Sequence, residues 1–366
     1  MDRSWNAVAA IATDQSRQLE FGDVLAGPLR DDEVLVAVKA TGVCHTDIVA
    51  RGGVLGVPKP IILGHEGAGI IQAVGSSVRA FAPGDRVVMS YLACGECREC
   101  RGGVPASCAR LPEHCFSGAR PDGTHAVLHK EGGPLHDRFF GQSAFATLAV
   151  ANERNVFPIP DALPFELAAP LGCGVMTGAG AVWNELEVQP GASVAVFGVG
   201  AVGLAAVMAA TAAGAARIVA VDRLPVRIAL ALELGATDVV DASQPASGGV
   251  TPLVDHAIDT TGNAEVIGQA FASLGQRGKL ALIAPPPPHQ ALNVSAAGLI
   301  LGSRRVMGVI EGGGSAGVTI ARIIDLHGEG RFPLERIVSC YDFASINQAM
   351  HDAERGEVVK AVVRMP

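Results

Sequence analysis

Positive charge is in short supply in this 366-residue chain: 28 Lys and Arg stand against 36 Asp and Glu, a formal net charge of -8 at pH 7. Nucleic-acid binding relies on Lys and Arg to neutralise phosphates, so this balance argues against such a partner. Tyr and Trp are equally scarce, with two of each. One uncharged stretch long enough to cross a bilayer, residues 191–216, has no Trp or Tyr anchors, and glycines break it in the middle. The opening MDRSWNAVAAIATDQ contains no apolar run long enough for a secretory signal, and the expectation is a cytoplasmic protein. No internal repeat is visible. The PPPP run at 285–288 is too brief for a linker and reads as the end of the strand before it.

What the chain does have is apolar residues, glycine and cysteine. A hydrophobic content of 49% over this length is enough for two separate cores. Up to about residue 150, short alternating runs such as EVLVAVKA and DRVVMS, cut by Gly and Pro, predict strands joined by turns. From Gly191 the rhythm changes. Apolar strands (ASVAVFG, ARIVAVD, TDVVDA, VDHAIDTTG, GKLALIA) alternate with helical stretches (VGLAAVMAATAAG, LPVRIALALELG), the pattern of βαβ units around a buried parallel sheet. Beyond it come helix-like AGVTIARIIDLHGEG and SINQAMHDAERG, then a strand VVKAVVRM.

The segment GVGAVG, Gly198 to Gly203 through Ala201 and Val202, follows one of these strands and opens a helix. Gly198, Gly200 and Gly203 let the backbone approach a pyrophosphate at the helix N-terminus. Asp222 ends the next strand 19 residues beyond Gly203, where an acid that bonds a ribose 2'-hydroxyl belongs. That carboxylate would repel the extra phosphate of NADP and favours NAD, although Arg223 beside it could hold such a phosphate.

The eight cysteines suit metal binding in a reducing compartment better than disulfides. Four of them, Cys94, Cys97, Cys100 and Cys108, lie within CGECRECRGGVPASC, a spacing that closes a tetrahedral zinc site and leaves no position for a substrate. An iron-sulfur cluster is the main rival, but its bacterial run brings the fourth Cys closer and follows it with Pro, whereas Ala109 follows Cys108. A dithiol redox switch would not need all four thiols. Isolated soft ligands stand elsewhere: Cys44 in GVCHTD, His65 in GHEGAG and Cys173 in LGCGVMTG. Two Cys and one His with a fourth position open is a set used by zinc acting on an alcohol oxygen, while each residue taken singly reads better as an ordinary core or loop residue.

Taken together, these residues resemble the zinc-dependent medium-chain alcohol dehydrogenases over nearly the whole chain. The family signature G-H-E-x2-G-x5-G-x2-V is met in full by Gly64, His65, Glu66, Gly69, Gly75 and Val78. The resemblance implies an α/β protein with a GroES-like, β-rich catalytic domain over residues 1–174 and 308–366, and a Rossmann doubly wound parallel sheet over 175–307. It implies two zincs per subunit. The structural one falls to Cys94, Cys97, Cys100 and Cys108; the catalytic one falls to Cys44, His65 and Cys173, with Glu66 an occasional partner. Asp47 would orient His65, Thr46 would take the substrate proton, and His45 would lie near the cofactor pyrophosphate. Thr177 matches a nicotinamide contact, and Phe139 and Phe140 match the substrate pocket. Several family members carry a proton-relaying histidine five positions after the first ligand, where this chain has Val49, so the relay must end differently.

Within the family, FFGQSAFATLAVA, LGCGVMTGAGAV and GVIEGGG look most like the aryl-alcohol branch, which implies reversible, NAD-dependent oxidation of an aryl or allylic primary alcohol to its aldehyde. Alternatives are a thiol-dependent formaldehyde dehydrogenase, an NADP-preferring aldehyde reductase, or a non-catalytic zinc protein that binds NAD. Relatives assemble as homodimers or homotetramers, and the apolar ALNVSAAGLILG after Gln290 offers a self-pairing edge. His114, Cys115, His125, His129 and His136 fall in a polar, Gly-rich insertion and read as a solvated loop.

Overall fold

The structure, a computed structural model, describes residues 3–244, 250, 252–285 and 290–366. The chain divides into two compact units, Met1–Cys173 with Leu334–Pro366, and Gly174–Pro333. In the first unit the strands are β1 (Trp5–Ala12), β2 (Glu20–Ala26), β3 (Glu33–Gly42), β4 (Ile61–Ile62), β5 (Gly67–Val74), β6 (Arg86–Met89), β7 (Val127–His129), β8 (Leu148–Asn152) and β9 (Val156–Pro158). One sheet has the order β4-β1-β2-β7. The second centres on β3, whose sequence EVLVAVKATG is buried everywhere except Lys39, because β5 and β8 pair with it and elements cover both its faces. EVLVAVKA and DRVVMS thus form β3 and β6, as their alternation predicts.

The second unit contains β10 (Ser193–Phe197), β11 (Arg217–Asp222), β12 (Asp238–Asp241), β13 (Val254–Asp259), β14 (Leu274–Leu282) and β15 (Arg305–Gly308). All pair in parallel, in the order β12-β11-β10-β13-β14-β15. The order reverses at β10 and β13, the switch point at which doubly wound sheets bind nucleotides. Residues 191–216 split between β10 and the helix Ala201–Ala212, and no single helix among the described residues is long and apolar enough to cross a membrane. One bent pair of short, largely buried helices, Phe165–Gly172 and Gly174–Glu185, meets that test of length and composition together. Of the 285–288 proline run, all but Pro285 lies outside the described residues.

The chain then returns to the first unit with β16 (Val338–Asp342) and β17 (Lys360–Arg364), which extend the second sheet to β16-β17-β3-β5-β6-β9. β17 runs antiparallel to the end of β3, pairing Val362 with Gly42 and so reaching the point where β3 delivers Cys44. The other end of β3 carries a buried charge cluster: Arg120 donates from Nε and Nη2 to the two Glu33 oxygens at 2.8 and 2.6 Å, with Arg138 3.5 Å from the same carboxylate. This ties the Gly-rich insertion to the strand that leads to Cys44. Buried charges are retained when they are paired and hydrogen-bonded in this way.

Candidate active site

Three segments of the first unit converge on one point. β3 ends at Gly42, and a helix, His45–Arg51, starts three residues later with Cys44 as its N-cap in extended conformation. Asp47, in the first turn, takes the Cys44 N–H on Oδ2 at 2.9 Å. Its Oδ1 takes the Gly64 N–H at 3.0 Å and meets His65 Nδ1 at 3.0 Å. Asp47 and His65 have no exposed surface. With Nδ1 committed to Asp47, His65 Nε2 is buried without a hydrogen-bond partner of ordinary geometry and faces the thiols. Cys173 closes the group: the ligand atoms of Cys44, His65 and Cys173 all lie within 4.8 Å of one another. Zinc bound at about 2.3 Å from sulfur and 2.0–2.1 Å from nitrogen spaces its ligands within that limit.

The electrostatics favour a cation there. The Cys173 contact, with help from His65 and Lys360, holds the Cys44 thiol well below its ordinary pKa despite burial. Burial alone would push His65 down, yet Asp47 and Cys44 carry it well above the usual histidine range. The pocket thus draws positive charge to the space between the sulfurs. An orphaned imidazole nitrogen, two thiols and a carboxylate behind the ring make a donor set that fits zinc.

The second cluster is local. The sulfurs of Cys94, Cys97, Cys100 and Cys108 lie within 4.8 Å of one another, with Cys94 and Cys100 3.8 Å apart. Backbone N–H groups already point at them: Cys97 donates to Cys94 Sγ at 3.3 Å, and Arg110 donates to Cys108 Sγ at 3.4 Å. Burial raises the Cys94 thiol, but the Glu96 and Cys97 N–H groups and the Arg110 side chain outweigh it and bring the pKa down to about 6. This donor set also fits zinc, with no position left for a reactant.

In the second unit, Gly198 sits at φ 84°, and a Cβ on Gly203 would collide with the Gly198 carbonyl, so the turn can be this tight only with glycine. Helix Ala201–Ala212 has no side-chain cap, leaving its first-turn N–H groups for a phosphate. Asp222 is buried at the end of β11, taking the Val199 N–H on Oδ2 at 2.8 Å and the Arg223 and Leu224 N–H groups on Oδ1 at 2.7 and 3.0 Å. Arg223 is exposed. Thr177 lies buried in the helix Gly174–Gly180, which packs closely on Ala201–Ala212 because Gly178 has no side chain. The cradle fits a dinucleotide.

The model of the alcohol dehydrogenase GroES-like domain matches residues 30–161, and that of the zinc-binding dehydrogenases matches 201–325. Geraniol dehydrogenase of Castellaniella defragrans is 41% identical over 98% of this chain and 97% of its own length. The chain belongs to the zinc-dependent medium-chain alcohol dehydrogenases. Among solved structures, an alcohol dehydrogenase zinc-binding domain protein from Burkholderia ambifaria superposes with a TM-score of 0.96 at 42% identity, covering 100% of both chains. Benzyl alcohol dehydrogenase from Acinetobacter calcoaceticus follows at 0.94 and 38%, covering 99% of this chain and 100% of its own.

Two features of this dehydrogenase escape sequence reasoning. Glu66, next to His65, is wholly buried and held on both oxygens by Lys360 Nζ at 2.8 and 2.9 Å, while the same ammonium donates to the Val43 carbonyl at 3.2 Å. Burial raises the Glu66 carboxyl, and Lys360 offsets this in part. Gly42 is obligatory here, since any Cβ would overlap the Glu66 carboxylate. The only signal for Lys360 was a single charge inside the apolar VVKAVV. Arg227 is the second feature: it lies on the helix after Asp222, and its Nη1 stands 3.7 Å from the place of a Cβ on Gly200.

The enzyme's remaining expected residues are placed as follows. Thr46 Oγ1 lies 3.7 Å from Cys44 Sγ, and His45 is exposed on the same helix. Phe140 stacks on the His65 ring at 4.3 Å and 20°, with the wholly enclosed Phe139 edge-on at 5.5 Å. The solvated-loop reading needs correction at two positions. His114 and Cys115 are buried, because the helix Leu111–Phe116 turns them inward, and burial lowers the His114 pKa. His125 meets Asp137 at 3.3 Å and His136 ring to ring at 5.3 Å. Among the described residues only the two cysteine-bearing clusters gather three or more metal-ligating groups.

Lys360→Met leaves the Glu66 carboxylate buried without its cation and is expected to cost about 3–5 kcal/mol of stability. Combining it with Glu66→Gln should recover most of that loss in denaturant titrations. An equal loss in the double variant would show that packing, not charge, is what Lys360 supplies.

Proposed function

We propose that this enzyme oxidises primary alcohols of the aryl or allylic type to aldehydes, with NAD as hydride acceptor. The observation that carries the reading is the buried Cys44, His65 and Cys173 set, whose free imidazole nitrogen faces two thiols. Zinc held there supplies a Lewis acid, of the strength that lowers the pKa of bound water from 15.7 to about 7. The chain's own residues do the rest. Asp47 fixes the imidazole tautomer so that Nε2 is the ligand. Thr46 Oγ1 receives the proton leaving the alcohol hydroxyl. Val49 cannot carry a proton further, so His45, exposed on the same helix, passes it to water. Phe140, flat against His65, offers the ring face that an aromatic or allylic substrate would meet.

Asp222 would accept the ribose hydroxyls and repel a 2'-phosphate, which supports NAD over NADP. The Gly198–Gly203 turn and Arg227 would hold the pyrophosphate, and Thr177 the nicotinamide. The benzyl alcohol and geraniol named for two relatives support the substrate class. We also propose a homo-oligomer formed along β15, the edge of the parallel sheet. Beside it, the adjacent apolar side chains of Ile300 and Leu301 on helix Ala296–Gly302 are 76% and 79% exposed, which supports a contact there. None of the eight cysteines forms a disulfide, as both metal sets require, and this suits a reducing cytoplasm.

Cys44→Ala or His65→Ala should abolish NAD reduction with benzyl alcohol while NAD binding and the second zinc remain; full turnover in either variant would sink the assignment. Thr46→Val should flatten the pH dependence of kcat while keeping zinc. Wild-type rates with formaldehyde plus a thiol, or with NADP, that exceed those with benzyl alcohol and NAD would turn the reading toward those chemistries. Leu301→Glu should shift the sedimentation coefficient toward that of a single chain, and a wild-type monomer would refute the edge assembly.

A further inference from the structure

The segment that carries Phe140 is strained. Arg138, Phe140, Gly141 and Ser143 all have left-handed backbones, at φ 67°, 53°, 76° and 55°, and three of the four are not glycine. Such residues persist only where their surroundings force them, and they cluster at sites whose geometry matters. Here the segment is pinned along the strand-like run that precedes His65. The Ala144 and Phe145 N–H groups donate to the Gly64 and Leu63 carbonyls at 2.8 and 2.9 Å, and Ser143 Oγ donates to the Ile62 carbonyl at 2.5 Å. Phe140 lies on the His65 ring as one result. The other is the placement of Gln142, which is 1% exposed.

Three hydrogen bonds hold the Gln142 amide, taking both of its N–H donors. Its Nε2 donates to the His65 carbonyl at 2.9 Å and to the Ser90 carbonyl at 3.0 Å, and its Oε1 accepts the Gly67 N–H at 3.1 Å. Two carbonyls and one N–H around it allow only this orientation of the amide. Ser90, also without exposed surface, donates from Oγ to the Gly172 carbonyl at 2.6 Å, and Gly172 is bonded to the ligand Cys173. Asn155 Nδ2 donates to the same Ser90 carbonyl at 2.9 Å. An unbroken path thus runs from the backbone of one ligand to the backbone beside another: His65 O, Gln142 Nε2, Ser90 O, Ser90 Oγ, Gly172 O.

We infer that Gln142, acting through Ser90, is a positioning residue that sets the separation of His65 from Cys173 and thereby holds the catalytic metal. Asp47 does the same for the other side of the triangle, joining Cys44 N to His65 Nδ1. Each clamp is a planar, buried side chain with bonds at both ends, so two sides of the triangle are fixed before any ion arrives. On the third side the Cys44 and Cys173 side chains meet directly, and an ion bound between them would close it. The inference rests on reading the Cys44, His65 and Cys173 set as a zinc site.

Gln142→Leu, which keeps the volume, and Ser90→Ala should each release the catalytic zinc to a chelator about tenfold faster or more, the scale expected for groups that orient metal ligands. The four-cysteine zinc should leave at the wild-type rate. The cobalt(II)-substituted variants should show shifted visible bands, and Gln142→Asn, which retains a shorter amide, should recover part of the wild-type retention. The double variant should lose metal little faster than either single one, as members of one path would. Release at the wild-type rate with an unchanged cobalt spectrum, whatever the change in Tm, would reduce Gln142 to packing and overturn the inference. Should Gln142→Leu fail to fold, the small cavity of Ser90→Ala decides the matter by the same two measurements. A wild-type chain holding only one zinc would overturn the site and this inference together, whereas failure with two zincs bound would overturn this inference alone.

Discussion

One buried carboxylate organises the catalytic unit. Asp47 accepts from two backbone N–H groups and faces an imidazole nitrogen, and those three partners belong to the start of a helix and to a loop 17 or 18 residues further on. A carboxylate with no exposed surface survives only when its lone pairs are taken up. Its burial therefore obliges Cys44, Gly64 and His65 to keep their places, and the side of His65 that Asp47 does not hold becomes the ligand face. Remove that constraint and neither the tautomer of His65 nor the direction of Cys44 is defined.

The two metal sets solve the same problem by opposite means. Cys94, Cys97, Cys100 and Cys108 come from a single loop whose own N–H groups support the sulfurs, so the site is complete within fifteen residues. Cys44, His65 and Cys173 are spread over 130 residues and need help from outside their segments. That help comes from Asp47, from the Lys360 ammonium that ties down Glu66, and from the strained 138–143 segment. A local set can be closed and inert. A dispersed set leaves an open corner, and the supporting shell keeps that corner in shape without a fourth protein ligand.

This contrast explains what could be read in advance. The four-cysteine loop, the GHEGAG segment, the GVGAVG turn and the alternation of apolar strands with helices are local patterns, and each lies in the structure where its spacing places it. Asp47 was legible because it shares a helix with Cys44. Lys360, 294 residues from its partner Glu66, belongs to no motif, since nothing local records that β17 pairs with β3 at that point. Gln142 was hidden in the same way within FFGQSAF. His114 and Cys115 misled because a Gly-rich, polar stretch suggests exposure, whereas a six-residue helix inside it has an inward face.

The route of the chain also orders its own assembly. The ribosome makes the whole of the second unit before it reaches β17, the strand that lies against the end of β3 and carries Lys360 to Glu66. Throughout that interval the earlier strands wait on one open flank, with an acidic side chain beside His65 still lacking its counter-charge. The cofactor unit, contiguous from Gly174 to Pro333, faces no such wait and can close as it emerges. In the order of biosynthesis, the nucleotide cradle is finished first and the metal pocket last.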